Sequence, residues 1–248
     1  MLMLIKLFIS ILVGSFLVSI GIHFIPIGGT SASTLRTAGV ATNAPIVAIV
    51  LGMILNLAVL LTIHDSFIYV LLSGSVVCML SMSVLMFFSN IVDIYGVGVV
   101  PTSGNFKKDP ITGYIQEDYL SENSNGHGIP TISYISGLIG SFIFGIGGSL
   151  IFYMIYISFT TRFYKFVDGV TSIILSVLLF FVIAIISSFN YGNDNQGFYD
   201  KSFKNNIKPA ILSSVAIAIL MAILYIIIVG GMPKWSLKMI YIHKISLH

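Results

Sequence analysis

The sequence predicts an all-α protein: a polytopic transmembrane helical bundle with six spans and one long polar loop between spans three and four. Two observations predict it. Of the 248 residues 56% are hydrophobic and only 8% charged, where a soluble domain carries about 25% charged residues. Six apolar runs also approach the roughly 20 residues that a bilayer-spanning helix needs. The other fold that satisfies its backbone in lipid is a closed barrel, which requires a period-two alternation that these runs lack. The mean hydropathy of +1.01 agrees. One integral membrane domain over 1–248 is the expectation.

The first span is read over 2–24, with Lys6 near its start, where its stem can snorkel to the interface. A signal peptide competes, because Ser31-Ala32-Ser33 is loosely cleavage-like. The apolar run is long for that, and His23-Phe24-Ile25-Pro26 separates it from the small residues. The second span is read over 44–63, with Asn43 as cap and Pro45 in the first turn. His64-Asp65 leaves room only for a tight turn, so the third span, 67–88, returns as an antiparallel hairpin.

The fourth span, 132–157, carries Ser133, Gly137, Ser141, Gly145 and Ser149, a small residue at every fourth position. One face is then nearly bare backbone, as close helix packing in lipid requires. A short basic link with Arg162 and Lys165 leads to the fifth span, 169–189. The sixth, 209–229, shows a second stripe: Ala210, Ser214, Ala218 and Ala222. The tail 232–248 carries Lys234, Trp235, Lys238, Tyr241 and Lys244, the pattern of an interfacial helix.

The long polar segment Gly96–Thr131 is rich in turn signals. Val100-Pro101-Thr102-Ser103-Gly104 is one and Asp109-Pro110-Ile111-Thr112-Gly113 another. Gly126-His127-Gly128-Ile129-Pro130-Thr131 closes it, with a proline suited to the first turn of the next helix. Six spans put the loops 26–43, 90–131 and 190–208 on one side by parity. Lys and Arg do not orient the bundle. Lys6, Arg162, Lys165, Lys234, Lys238 and Lys244 fall on one side, and Arg36, Lys107, Lys108, Lys201, Lys204 and Lys208 on the other. The positive-inside rule returns a tie.

Several chemistries are excluded. A net charge of +3 without a basic–aromatic cluster argues against nucleic acid. Cys78 is the one cysteine, and no zinc spacing occurs, so it reads as a small core residue and no metal is expected to bind tightly. Gly96-Val97-Gly98 begins like a dinucleotide fingerprint but meets Pro101 where the third glycine belongs. No nucleophile–base pattern stands out, and no catalytic residue is assigned.

The remaining polar residues are candidates for binding. Asn56, in the middle of the second span, needs an interhelical hydrogen bond or serves as an ion ligand. Asp93 follows the third span as an interfacial residue or an ion-path residue. Asn190, Asp194 and Asp200 form an oxygen-rich loop that is either solvated or attracts cations. Gly28-Gly29-Thr30-Ser31 is a structural turn, or an anion site at a helix start with Arg36 nearby. His127, Gly128 and Thr131 stand at a helix entrance, where backbone bonding and a functional polar contact are both open.

Four stretches taken together carry a resemblance. They are GIHFIPIGGTSAS (21–33), GVGVVPTSGNFKKDPITGYIQEDY (96–119), GHGIPTISYISGLIGSFIFGIGGSLIFY (126–153) and SFNYGNDNQGFYDKSFK (188–204). The chain resembles the family of D subunits of the tetrahydromethanopterin S-methyltransferase of methanogenic archaea, over residues 5 to 231. It departs from the family pattern at Thr30-Ser31, where that pattern has Ala-Pro, at Asn125, where a glutamate is usual, and in the extension past Gly231. The resemblance implies a cell-membrane component of a multi-subunit complex. That complex passes a methyl group from methyl-tetrahydromethanopterin, through a cobamide held by a partner subunit, to coenzyme M, and drives sodium ions outward. It further implies that this chain binds no cofactor itself, contributes to the sodium path, and receives coenzyme M near its loops, which then face the cytoplasm. An independent secondary transporter and a purely structural scaffold are the alternatives. Sodium takes oxygen ligands. The chain offers Asn56 and serine hydroxyls within the spans, and acidic oxygens only at the rim, from Asp93, Asp194 and Asp200. The tightest carboxylate is therefore expected on a partner.

Overall fold

A computed structural model describes residues 2–26, 43–98, 100–103, 107–109, 111–115, 126–159, 165–188, 197 and 203–231. Its helices are α1 (Leu2–Phe24), α2 (Asn43–Leu61), α3 (Phe67–Ile91), α4 (Thr131–Phe159), α5 (Lys165–Ser188) and α6 (Phe203–Gly231). All six are long and apolar enough to cross a membrane. A π-helical turn, Val92–Val97, continues α3, and two short strands, β1 (Thr102–Ser103) and β2 (Gly126–His127), pair antiparallel. Aliphatic side chains line the outward faces, among them Met53, Leu57 and Leu61 of α2 and Leu212, Ile219 and Ile223 of α6. Small and polar residues turn inward instead, an arrangement suited to lipid rather than to water.

The bundle is organised around α4, which packs most extensively on α1 and α3 and also meets α2 and α5. Its 29 residues span about 43 Å at 1.5 Å per residue, longer than the roughly 30 Å hydrocarbon layer. The period-four stripe seen in the sequence faces α3: a methyl on Gly145 would strike Gly74 and Ser75, and one on Gly137 would reach Met86 Sδ at 2.5 Å. A second row, not expected from the sequence, faces α1. Gly140 and Gly147 stand against the carbonyls of Gly21 and Gly14, 2.6 and 2.5 Å from where each Cβ would lie. The stripe of α6 is buried at Ser214, Ala218 and Ala222, and α6 packs mainly on α1. Cys78 is a core residue, its thiol aimed at the Leu51 carbonyl at 3.7 Å.

Several boundaries differ from the sequence expectation. The third span does not stop at 88. No breaker occurs before Gly96, and the helical path ends where Gly98 takes φ 77°. Asp93 is therefore inside the π-helical turn rather than after the helix. The second span closes at Leu61, where the Thr62 hydroxyl bonds back to the Ala58 carbonyl at 3.1 Å. The fifth begins at Lys165, so that residue and Asp168 belong to the helix and not to a link. The sixth begins at Phe203 and carries Pro209 inside it. That proline is the seventh helical residue, in the second turn, and lacks the N–H that would bond the Asn205 carbonyl.

Ser136 Oγ donates to the Phe24 carbonyl at 2.6 Å, and Gly197 packs on both of those residues. The ends of α1 and α3, the start of α4 and this residue of the α5–α6 connection thus meet at one end. Cysteines placed at Ser103, Ser121 and Asn193 should accordingly react with an impermeant thiol reagent from one side of the membrane only. Labelling split between the sides would refute that arrangement.

Candidate functional site at the motif-loop end

Three of the turn motifs converge on one cavity of about 450 Å³. Val100-Pro101-Thr102 supplies one wall, Asp109, Thr112, Tyr114 and Ile115 a second, and Ile129-Pro130-Thr131 a third. Asn90 of α3 and Tyr134 of α4 complete it. The size lies in the range of small-molecule sites, and the lining mixes apolar walls with a few polar groups, as such sites do.

Local chemistry builds each wall. Asp109 is buried and its Oδ1 accepts from the amides of Ile111 and Thr112, at 2.8 and 2.9 Å. This side-chain turn is closed by the Gly113 amide on the Asp109 carbonyl at 2.9 Å, with Gly113 at φ 77°. Asn90 grips Ile129 with both ends of its amide: Nδ2 donates to the carbonyl and Oδ1 accepts from the amide, each at 2.8 Å. Tyr134 is fixed by donating to the Ser83 carbonyl at 2.8 Å. The hydroxyl of Thr102 is buried without a hydrogen-bond partner and belongs to a cavity wall.

Of the residues proposed from sequence, Thr131 lines this cavity. Gly128 sits beside it at φ 61°, and a Cβ there would lie 2.9 Å from Asp93 Oδ2 and 3.2 Å from Asn90 Oδ1. Asp93 and Gly128 are thus brought together. His127 pairs with Thr102 through the β1–β2 backbone register. Gly28, Gly29, Thr30, Ser31, Arg36, Asn190, Asp194, Asp200 and the tail 232–248 lie outside the described residues. Sequence reasoning misses Asn90, Thr102 and Tyr134. An amide closing an apolar run, as in Phe87-Phe88-Ser89-Asn90, is the available signal for the first.

Asn56 lies elsewhere, inside the bundle. It is fully buried, and its Nδ2 donates to Ser176 Oγ on α5 at 2.7 Å, while Oδ1 has no partner. A second buried polar group joins three helices: Ser19 Oγ lies 2.6 Å from both Ser187 Oγ and Ser214 Oγ, and Ser214 lies 3.3 Å from His23 Nε2. Asp168, in the first turn of α5, is a further rim carboxylate, and it is buried. Among the described residues no three His, Cys, Asp or Glu side chains gather as a metal site.

Six membrane-length helices among the described residues, with a loop-built cavity at one end, make the architecture of a multi-pass membrane protein. The family model for the D subunit of tetrahydromethanopterin S-methyltransferase matches residues 4–218. The D subunit of Methanosarcina mazei is 37% identical over 236 residues, covering 90% of this chain and 93% of that protein. That of Methanosarcina barkeri is 36% identical over 232 residues, 89% and 92%. The Methanothermobacter thermautotrophicus protein is 32% identical over 223 residues, 90% and 96%. The chain belongs to this family, and is a component of the tetrahydromethanopterin S-methyltransferase complex.

Proposed function

We propose that this chain lines part of the sodium path of the methyltransferase complex. Its motif-loop end, in the same reading, meets the cobamide-carrying subunit and receives coenzyme M near the cavity. The observation that supports an ion path is Asn56: a buried amide oxygen without a hydrogen-bond partner at the middle of a span. A hard cation takes oxygen ligands, and a buried acceptor left unpaired is costly unless something occupies it.

The test is made in the assembled complex. Asn56→Leu should raise the sodium concentration for half-maximal turnover about tenfold, the factor that 1.4 kcal/mol corresponds to. Methylation of the cobamide should persist. Asp93→Asn should act more mildly, because its site is at the end of the bundle. Unchanged sodium dependence in an intact complex carrying Asn56→Leu would assign this chain a scaffold role. The purified chain alone should transfer no methyl group to coenzyme M. Transfer by the chain free of its partners would overturn that expectation.

A further inference from the structure

Asp168 stands in the first turn of α5, at the end of the bundle opposite the motif loops. It is 0% exposed, and neither carboxylate oxygen has a hydrogen-bond partner among the described residues. The positive end of a helix offsets part of such a charge, but an enclosed carboxylate without donors still needs a proton or a cation for company. Lys6 on α1 and His64 and Asp65 in the α2–α3 turn are ionisable groups described at the same end, and none of them bonds Asp168.

The same helix face continues inward. Ser172 and Ser176 follow Asp168 at successive spacings of four, both fully buried. Ser172 Oγ donates to the Asp168 carbonyl at 2.6 Å, and Ser176 Oγ to the Ile173 carbonyl at 3.0 Å. With its proton committed to its own helix, Ser172 keeps its lone pairs as acceptors, while Ser176 keeps one beyond that taken by Asn56 Nδ2. Asn56 Oδ1 stands at the Ser176 level, about 12 Å from Asp168 along the helix. One turn further the line is closed by Phe180, packed on Phe144 at a centroid distance of 5.5 Å and lying against Gly52.

We propose that Asp168 is a sodium-binding carboxylate at the mouth of this line of oxygens, through which Ser172, Ser176 and Asn56 receive the ion. Two separated, unpartnered buried groups, a carboxylate and an amide oxygen, mark its two ends. The proposal rests on the ion-path reading above for its role in turnover, but the site is testable without it.

The purified complex is treated with dicyclohexylcarbodiimide, which couples to a protonated carboxyl in an apolar site, and adducts on this chain are located by peptide mass spectrometry. Asp168 should be modified in choline chloride. Sodium chloride at about ten times the dissociation constant should slow the modification about tenfold, by mass action on the occupied site. Potassium should not. Asp168→Glu should keep sodium protection, and Asp168→Asn should lose the adduct in a complex of unchanged composition. No modification, or a rate that responds to pH but equally in sodium and choline, overturns the site. Protection by sodium combined with unaltered sodium dependence of turnover in Asp168→Asn upholds the site and rejects the ion-path reading.

Discussion

Gly140→Ala and Gly147→Ala should each destabilise the chain by about 3 kcal/mol, at the upper end of what overpacking costs, because the added methyl meets backbone rather than a side-chain tip. At Gly147 the new carbon would lie 2.5 Å from the Gly14 carbonyl oxygen and 2.9 Å from the Val18 nitrogen; at Gly140, 2.6 Å from the Gly21 carbonyl. No rotamer change relieves such contacts. α1 has to move away from α4, and the most extensive interface of the bundle separates with it. Gly169→Ala is the counter-case. The nearest atom there is Tyr156 Cε2 at 4.0 Å, so the same substitution should stabilise α5 by about 0.5–1 kcal/mol through helix propensity alone. Thermal unfolding in detergent micelles reads both signs. Gly14→Ala combined with Gly147→Ala should cost less than the sum of the two, since the helices that one methyl has parted no longer clash with the other. Equal effects at Gly169 and Gly147 would reject the account.

That contrast shows what a membrane sequence reveals and what it hides. The six helices are legible because lipid demands long apolar runs, and the α3-facing stripe of α4 is legible because small residues repeat every four positions. Gly140 and Gly147 repeat at seven, and their significance appears only with Gly14 and Gly21 opposite them. The starts of α5 and α6 are misplaced from sequence because Lys165 and Asn205-Asn206 read as loop, although a helix leaving the bilayer carries polar residues without penalty. Asp168 falls just before the span read from 169, because hydropathy rises only after it, and its burial is not written in that pattern. The turn motifs of the cavity are each recognisable from Pro, Gly and Asp. All of them lie in the one segment between α3 and α4, but their meeting around Asn90 and Tyr134 is tertiary.

Asn90 is where that convergence is most exposed to a single change. Its amide donates to the Ile129 carbonyl and accepts from the Ile129 nitrogen, so it ties the end of α3 to the residue two before α4. Asn90→Ala should cost about 2 kcal/mol, two hydrogen bonds of ordinary net worth, moderated because the backbone groups are only partly buried. Asn90→Asp is nearly isosteric and should nevertheless cost more, about 3 kcal/mol, since a carboxylate keeps the acceptor but faces the Ile129 carbonyl with a second acceptor. Asp93 lies close by on the other side of Gly128, so the new charge also meets a like charge. The readout is trypsin cleavage after Lys107 and Lys108, which are exposed in the loop between the two strands. If cleavage follows the opened population, 2 kcal/mol accelerates it about 30-fold for Asn90→Ala, and Asn90→Asp is faster still. Asn90→Gln, which keeps the donor and acceptor but lengthens the arm, should fall between wild type and Asn90→Ala. An Asn90→Asp chain as resistant as wild type would show that the clamp does not hold the cavity walls together.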